Sequence, residues 1–288
     1  SAPVMYANGH SVSPEQAEER GIGLAKAAGL NNATAEQLRA LSTEEILALE
    51  NNYLLDGIIT RDGEYVPTSI AEAFQAGRVN GERLGIGNVQ NEGSFFAALT
   101  ESAAGKPMDE VAYRDNLEAL EKQYALPGFA DKVMQEYPAS DYGSPAEAYA
   151  QVITDSWFAA PIYRIADSLD NQIKVYYYEF SDPTCPKYVT TDFAQGTAHT
   201  YELPYLFPGF HGSSDLSTDL NKKQQKVAKE MVKLWTGMSE VDRRGIWERF
   251  DSDRAQYLKL GQGKPQMMDM KDYRERHHFD FWQNILLY

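Results

Sequence analysis

A single cysteine, Cys185, in 288 residues rules out any disulfide within the chain. It stands in Asp182-Pro183-Thr184-Cys185-Pro186, which reads as a turn after a strand. A bystander loop thiol is the simpler reading than a bridge to another chain or a reactive group, and the redox compartment stays open. Positive charge is also scarce. Lys and Arg total 27 against 42 Asp and Glu, for a net charge of −15. Such a surface is repelled by phosphate backbones and anionic lipid headgroups, which argues against nucleic-acid and membrane partners. It identifies no substrate, because acidity of this kind serves solubility. No apolar run approaches transmembrane length. There is no His-x-x-x-His, His-Glu-x-x-His or Cys cluster, no P-loop and no Gly-x-Gly-x-x-Gly, so no metal or cofactor is expected. Gly85-Ile86-Gly87 lacks the third glycine and reads as close packing in a strand. No signal peptide is visible at Ser1-Ala2-Pro3, which leaves localisation unknown, with secretion slightly favoured. The lone glycosylation triplet Asn32-Ala33-Thr34 is near chance.

Hydrophobic residues make up 43% of the chain, enough for a sizeable core. Pro3 to Ala7 reads as a short strand. Ser13-Pro14-Glu15 then starts a helix whose apolar side is Ala17, Ile22, Leu24, Ala25 and Ala28, ended by Gly29. Further helices are signalled over Thr34 to Leu41, from the capping pattern Ser42-Thr43-Glu44-Glu45, and over Ser69 to Phe74. Leu55 to Ile59 is loop-like, and Asp62-Gly63 is a turn. Arg83 to Val89 reads as a buried strand. Met108 to Ile165 is helical, broken at Pro127-Gly128, Pro138 and Gly143-Ser144-Pro145. Ile173 to Phe180 is the clearest strand, and Leu220 to Trp235 is an amphipathic helix with Val227, Met231, Leu234 and Trp235 on one side. Gln256 to Leu260 suggests an edge strand, and His278 to Leu287 a closing helix. Strands separated by helices place the chain in the α/β class, with residues 1–288 expected as one domain portion without a linker or repeat.

Two residues stand where α/β sheets put chemistry. Glu92 falls in the turn Gln90-Asn91-Glu92-Gly93, directly after a buried strand, and ligand crevices open at the carboxyl ends of strands. His199 follows a long loop after the best strand. The other four histidines lie near the end of the chain (His277, His278), in a turn (His10) or in a loop (His211). A solvated glutamate and a structural histidine are the plain alternatives. The order acid then histidine is that of a hydrolase triad on this class of sheet.

At these residues the chain resembles the type-B carboxylesterase and cholinesterase family. Asn91-Glu92-Gly93-Ser94-Phe95-Phe96 is similar to the family's Asp-Glu-Gly-x-x-Phe, whose glutamate is the triad acid. Ala198-His199-Thr200-Tyr201-Glu202-Leu203-Pro204-Tyr205-Leu206-Phe207 is similar to its His-x-x-Glu-Leu-Pro-Tyr-x-Phe, whose histidine is the base. Weaker matches run collinearly from about residue 9 to the end, including Trp157 to Pro161 and Phe281-Trp282. The resemblance implies the C-terminal half of an α/β-hydrolase fold, a mixed sheet flanked by helices and completed by a missing N-terminal part or a partner chain. It implies carboxylic ester hydrolysis through a Ser-His-Glu triad, with Glu92 as acid and His199 as base. It further implies that Phe95, Phe96 and Tyr201 line the substrate pocket, with Glu202 as a supporting acid.

The departures are as informative as the matches. The family's Gly-x-Ser-x-Gly nucleophile elbow and oxyanion glycines have no counterpart. Gly9-His10-Ser11-Val12-Ser13 comes nearest, but Ser13 replaces the last glycine, and by resemblance the segment falls on a later Ser-Gly stretch of the family. The family's Phe-Ala-x-Thr-Gly-x-Pro after Trp235 is replaced around Gly237-Met238-Ser239. The expected assembly is therefore a two-chain serine carboxylesterase, a heterodimer in which an N-terminal chain brings the serine and a small-molecule ester is the substrate. A non-catalytic, cholinesterase-like interaction protein is the alternative, and a hydrolase using Ser11 a third. The retained Glu92 and His199 argue against the interaction protein.

Overall fold

Side chains reach back to close the helix starts of the first 79 residues. In the computed structural model, which describes residues 11–53, 59–212, 215–241 and 245–285, four capping boxes recur: Ser13 with Gln16, Thr34 with Gln37, Ser42 with Glu45, and Ser69 with Glu72. Each satisfies two backbone donors that a helix terminus leaves open. They set the starts of α1 (Pro14–Ala27), α2 (Ala35–Arg39), α3 (Thr43–Tyr53) and α4 (Ile70–Gln75). The short strands β1 (Ser11–Val12) and β2 (Ile59–Thr60) pair in parallel. Two expectations shift here. Ile59 belongs to a strand rather than a loop, and Ile22 is 54% exposed instead of lying on a buried face of α1. The Pro3 to Ala7 strand and the loop from Leu55 to Ile58 fall outside the described residues. These elements form one compact unit, Tyr6–Val79; the second is Asn80–Leu287.

The second unit is built on four strands in the order β3 (Arg83–Val89), β4 (Lys174–Ser181), β5 (Gln256–Gly261) and β6 (Gln266–Asp269). The first three run parallel, and β6 returns antiparallel beside β5. The sheet is thus mixed, as expected. The Gln256 segment is not its edge, however. It lies inside, and the four-residue β6, too short to show an alternating pattern, takes the outer place. The arrangement matches an α/β fold with crossover helices on the sheet faces.

Strand β4 carries both layers. Successive side chains of a strand point to opposite faces. Tyr176, Tyr178 and Phe180 join Val89, Leu258 and Leu260 in a core covered by Val227, Met231 and Leu234 of α11 (Lys222–Thr236), with Trp247. On the other face Tyr177 meets Tyr163 of α9 (Ala160–Leu169), Phe250 and Tyr273. All of β4 after Lys174 is buried, which is why it reads as the strongest strand. The middle helices are α5 (Gly93–Ala104), α6 (Glu110–Tyr124), α7 (Phe129–Glu136), a short 3-10 turn (Ala139–Asp141), α8 (Pro145–Ile153), and a π-helical turn, Thr154–Ala159, that leads into α9. After β4 come the short α10 (Leu203–Leu206), α11, and at the end α12 (Met270–Arg276) and α13 (Phe279–Ile285). Helix α12 goes unread in the sequence because only Met270 and Tyr273 of its seven residues are buried.

Close approach of β3 to β4 depends on Gly87. A Cβ there would lie 2.0 Å from the Tyr178 carbonyl oxygen, a backbone atom of the paired strand. We expect Gly87→Ala to lower unfolding stability by about 1–3 kcal/mol or more through overpacking. Gly81→Ala, whose Cβ would meet nothing nearer than the Arg83 carbonyl at 3.8 Å, should leave it nearly unchanged. Urea midpoints of the two variants check the difference.

Candidate active site

Glu92 ends the turn that β3 makes into α5. Its backbone is already helical, and its side chain does not cap α5. The carboxylate is fully buried, so each oxygen needs a partner or the charge is prohibitively costly. Oε1 accepts the Val89 N–H at 2.8 Å. Oε2 meets His199 Nδ1 at 2.6 Å. The amino end of α5 adds a favourable dipole for the negative charge. Gly93 is required next to it, because a Cβ would stand 1.9 Å from the Ala150 carbonyl oxygen of α8. The Gly93 N–H donates to Thr154 Oγ1 at 2.8 Å, and that hydroxyl donates in turn to the Ala150 carbonyl at 2.8 Å.

His199 arrives from the loop after β4, and several local bonds shape that loop. Asp182 Oδ1 accepts the Thr184 N–H and hydroxyl, and Oδ2 accepts the Tyr205 hydroxyl. Gln195 donates to the Val189 carbonyl. The loop then lies down beside the Glu92 turn. Asn91 N–H donates to the Thr197 carbonyl at 3.0 Å, and Thr197 N–H to Asn91 Oδ1 at 3.0 Å. Gly196 has φ +58°, and a Cβ there would sit 2.2 Å from Asn91 Oδ1, so only glycine lets the two strands of loop meet. Thr200, just after the histidine, holds φ +70°, a costly conformation for a non-glycine residue. Its hydroxyl is bonded by Tyr188, which secures it.

The histidine ring sits in an aromatic box. Phe96 and Phe158 are each 5.3 Å away by ring centroid and Phe95 5.9 Å. Phe96 also meets Trp157 edge-on at 5.2 Å. Phe95 and Phe96 are only half-buried, and the His199 side chain keeps 15% exposure. With Nδ1 committed to Glu92, Nε2 is the basic nitrogen. The geometry is that of an oriented general base in low-dielectric surroundings. A nucleophile hydroxyl placed at Nε2 could be deprotonated there.

The structure thus brings together Glu92, His199, Phe95 and Phe96. Tyr201 is placed elsewhere. It is wholly buried in the core, donates its hydroxyl to Gln195 at 2.8 Å and stacks edge-on against Tyr188, so it offers no surface to a ligand and braces the histidine loop. Glu202 is 4% exposed and opens α10. Cys185 is buried, and burial pushes its thiol up to about 12, away from reactivity. Ser11 lies inside β1 of the other unit, its hydroxyl buried without a hydrogen-bond partner among the described residues. That unit has no histidine among its described residues. Among the described residues no group of His, Cys, Asp and Glu gathers as a metal site. No described helix is long and apolar enough to cross a membrane.

A second buried cluster went unnoticed in the sequence. His277, 1% exposed, has Asp155 Oδ1 at 2.6 Å from Nδ1 and Glu179 Oε1 at 3.3 Å from Nε2. Arg276 forks onto Glu179 at 2.8 and 3.1 Å. The available signal was Glu179 inside the apolar run of β4, and Asp155 inside an apolar helical stretch: buried acids imply buried cations.

Comparison with known proteins agrees with this arrangement. Residues 6–282 match the carboxylesterase family. The human cocaine esterase is 26% identical over 86% of this chain and 45% of its own length. The mouse acylcarnitine hydrolase is 25% identical over 80% of this chain and 42% of its own. The acetylcholinesterase of Bungarus fasciatus is 22% identical over 87% of this chain and 45% of its own. The chain therefore spans less than half the length of these relatives. With a family match across nearly all its residues and a mixed α/β sheet beneath a buried glutamate–histidine pair, the chain belongs to the carboxylesterase family.

Proposed function

We propose that this chain supplies the acid and the base of a carboxylic ester hydrolase, with the serine nucleophile and the oxyanion hole on another polypeptide. The 2.6 Å bond between Glu92 and His199 carries the reading. In the reaction His199 Nε2 takes the serine proton as the hydroxyl attacks the ester carbonyl, then gives it to the departing alcohol. Water repeats the cycle on the acyl-enzyme. Glu92 holds the ring in the productive tautomer and stabilises the imidazolium. Oxyanion donors from the partner would contribute about 3–4 kcal/mol each. The half-buried Phe95 and Phe96 would form the wall that receives the ester, and no cofactor takes part. A nucleophile from outside residues 1–288 is supported by the missing Gly-x-Ser-x-Gly pattern and by β3, which has a sheet neighbour on one side only among the described residues. An open strand edge of this kind calls for a partner strand.

A fluorophosphonate probe on the complete assembly tests the chemistry. We expect labelling of a partner serine, lost in His199→Ala. Glu92→Gln keeps the side-chain shape but favours the wrong imidazole tautomer, and should lower kcat by roughly 10⁴-fold. No labelling of the intact assembly would favour a non-catalytic binding protein instead. The two-chain arrangement predicts that residues 1–288 produced alone are inactive and poorly soluble. A soluble preparation that hydrolyses esters would overturn it.

A further inference from the structure

Two of the hydrogen bonds that fix the Glu92 turn, those of the Gly93 and Val89 N–H groups, lead by different routes to one buried histidine. The first route starts at Gly93, whose N–H is held by Thr154. Thr154 and Asp155 are neighbours at the start of the π-helical turn. Asp155 is anchored by His277 Nδ1, by the Tyr137 hydroxyl at 2.8 Å and by Gln151 at 2.8 Å. The second route starts at Val89, whose N–H is held by Glu92 and whose carbonyl accepts from Asn88 at 2.9 Å. Asn88 accepts the Tyr273 hydroxyl at 2.6 Å, and the Tyr273 ring packs on His277 at 4.3 Å between centroids. The two routes together involve β3, the start of α5, the π-helical turn and α12 with the His277 that follows it.

We propose that His277 is a positioning residue for the Glu92–His199 pair, holding these two attachments of the Glu92 turn from a charge-balanced buried cluster. The inference rests on reading Glu92 and His199 as acid and base. The cluster counts two carboxylates, Asp155 and Glu179, against Arg276 and the His277 imidazolium. An imidazolium is the form that donates from both ring nitrogens, one to each acid. The neutral ring has a different bonding choice. Its Nε2 can accept from Arg276 Nη1, 3.0 Å away, and then releases Glu179. The other titratable groups facing the cluster are Tyr137, Tyr177, Tyr257 and Tyr273, all held neutral by burial, and the adjacent His278, which is bonded to Glu136.

The direction of the pH effect follows. Burial pulls the His277 proton affinity down, but the Asp155 charge and the bonds to Asp155 and Glu179 outweigh it, so the group titrates above an ordinary histidine. A raised folded value gives a contribution that is complete below the ordinary histidine range and is lost as pH rises through the raised value. Deprotonation leaves the Nδ1 bond to Asp155 but removes the positive charge that faces this acid, so the clamp on Glu92 weakens on the alkaline side.

Proton and ¹⁵N-histidine NMR of the complete protein tests this directly. The short Glu92–His199 bond should give a far-downfield Nδ1–H resonance. That resonance is expected to shift or broaden at alkaline pH with the same midpoint as the ring signals of His277. His277→Gln should move it at neutral pH, lower kcat by about 10–100-fold with KM little changed, and remove the alkaline transition. His278→Gln should change none of these. A merely structural His277 would lower the melting temperature but leave the resonance and the pH profile intact, and that result overturns the proposal. Should His277→Gln fail to fold, independent titration of His199 and His277 in the native protein overturns it equally. The NMR signal reports the Glu92–His199 bond whether or not esters are hydrolysed, so failure of the activity reading is told apart from failure of this one.

Discussion

A carboxylate sealed from water has few ways to exist, and the Glu92 side chain uses two of them at once. One oxygen takes a backbone N–H from the end of β3 and the other takes the histidine. Leaving a buried acceptor without its hydrogen-bond partner costs about 1–3 kcal/mol, and more for a charged group. That cost obliges the turn after β3 and the loop after β4 to meet at one register, locked by Asn91 and Thr197 and permitted by Gly196. The geometry of the candidate site and a local contribution to stability rest on the same bond.

The sheet serves this bond by being rigid where it matters. Strand β4 is buried on both faces, with tyrosines alternating toward α11 on one side and α9 on the other. Polar residues in so dry a layer persist only when paired. Glu179 does so with Arg276 and His277, and Asp155 with His277 and Tyr137. Buried carboxylates thus recur, at the candidate chemical centre and again in the cluster around His277.

Local signals in the sequence carried far. The β3 bounds, the capping pattern at Ser42, the breaks before α7 and α8 and the amphipathic α11 follow from residues within a turn or two of each other. Glu92 and His199 were found through two short motifs, and the space between them had to be closed by the fold. What stayed hidden had no repeating local pattern to announce it. The inner place of β5 required β6, a four-residue strand with no pattern of its own. Tyr201 stands two residues from the histidine, yet its side chain goes to the core through a bond to Gln195. The His277 cluster joins residues from Asp155 to His277, and no spacing rule links an acid in a helix to a histidine more than a hundred positions later.

The glutamate and the histidine belong to the same compact unit, and the bond between them lies within it. The ordering entropy of these two side chains is therefore spent when that unit folds. Any group that approaches the exposed part of the imidazole meets a ring already oriented, and its alignment adds no further cost.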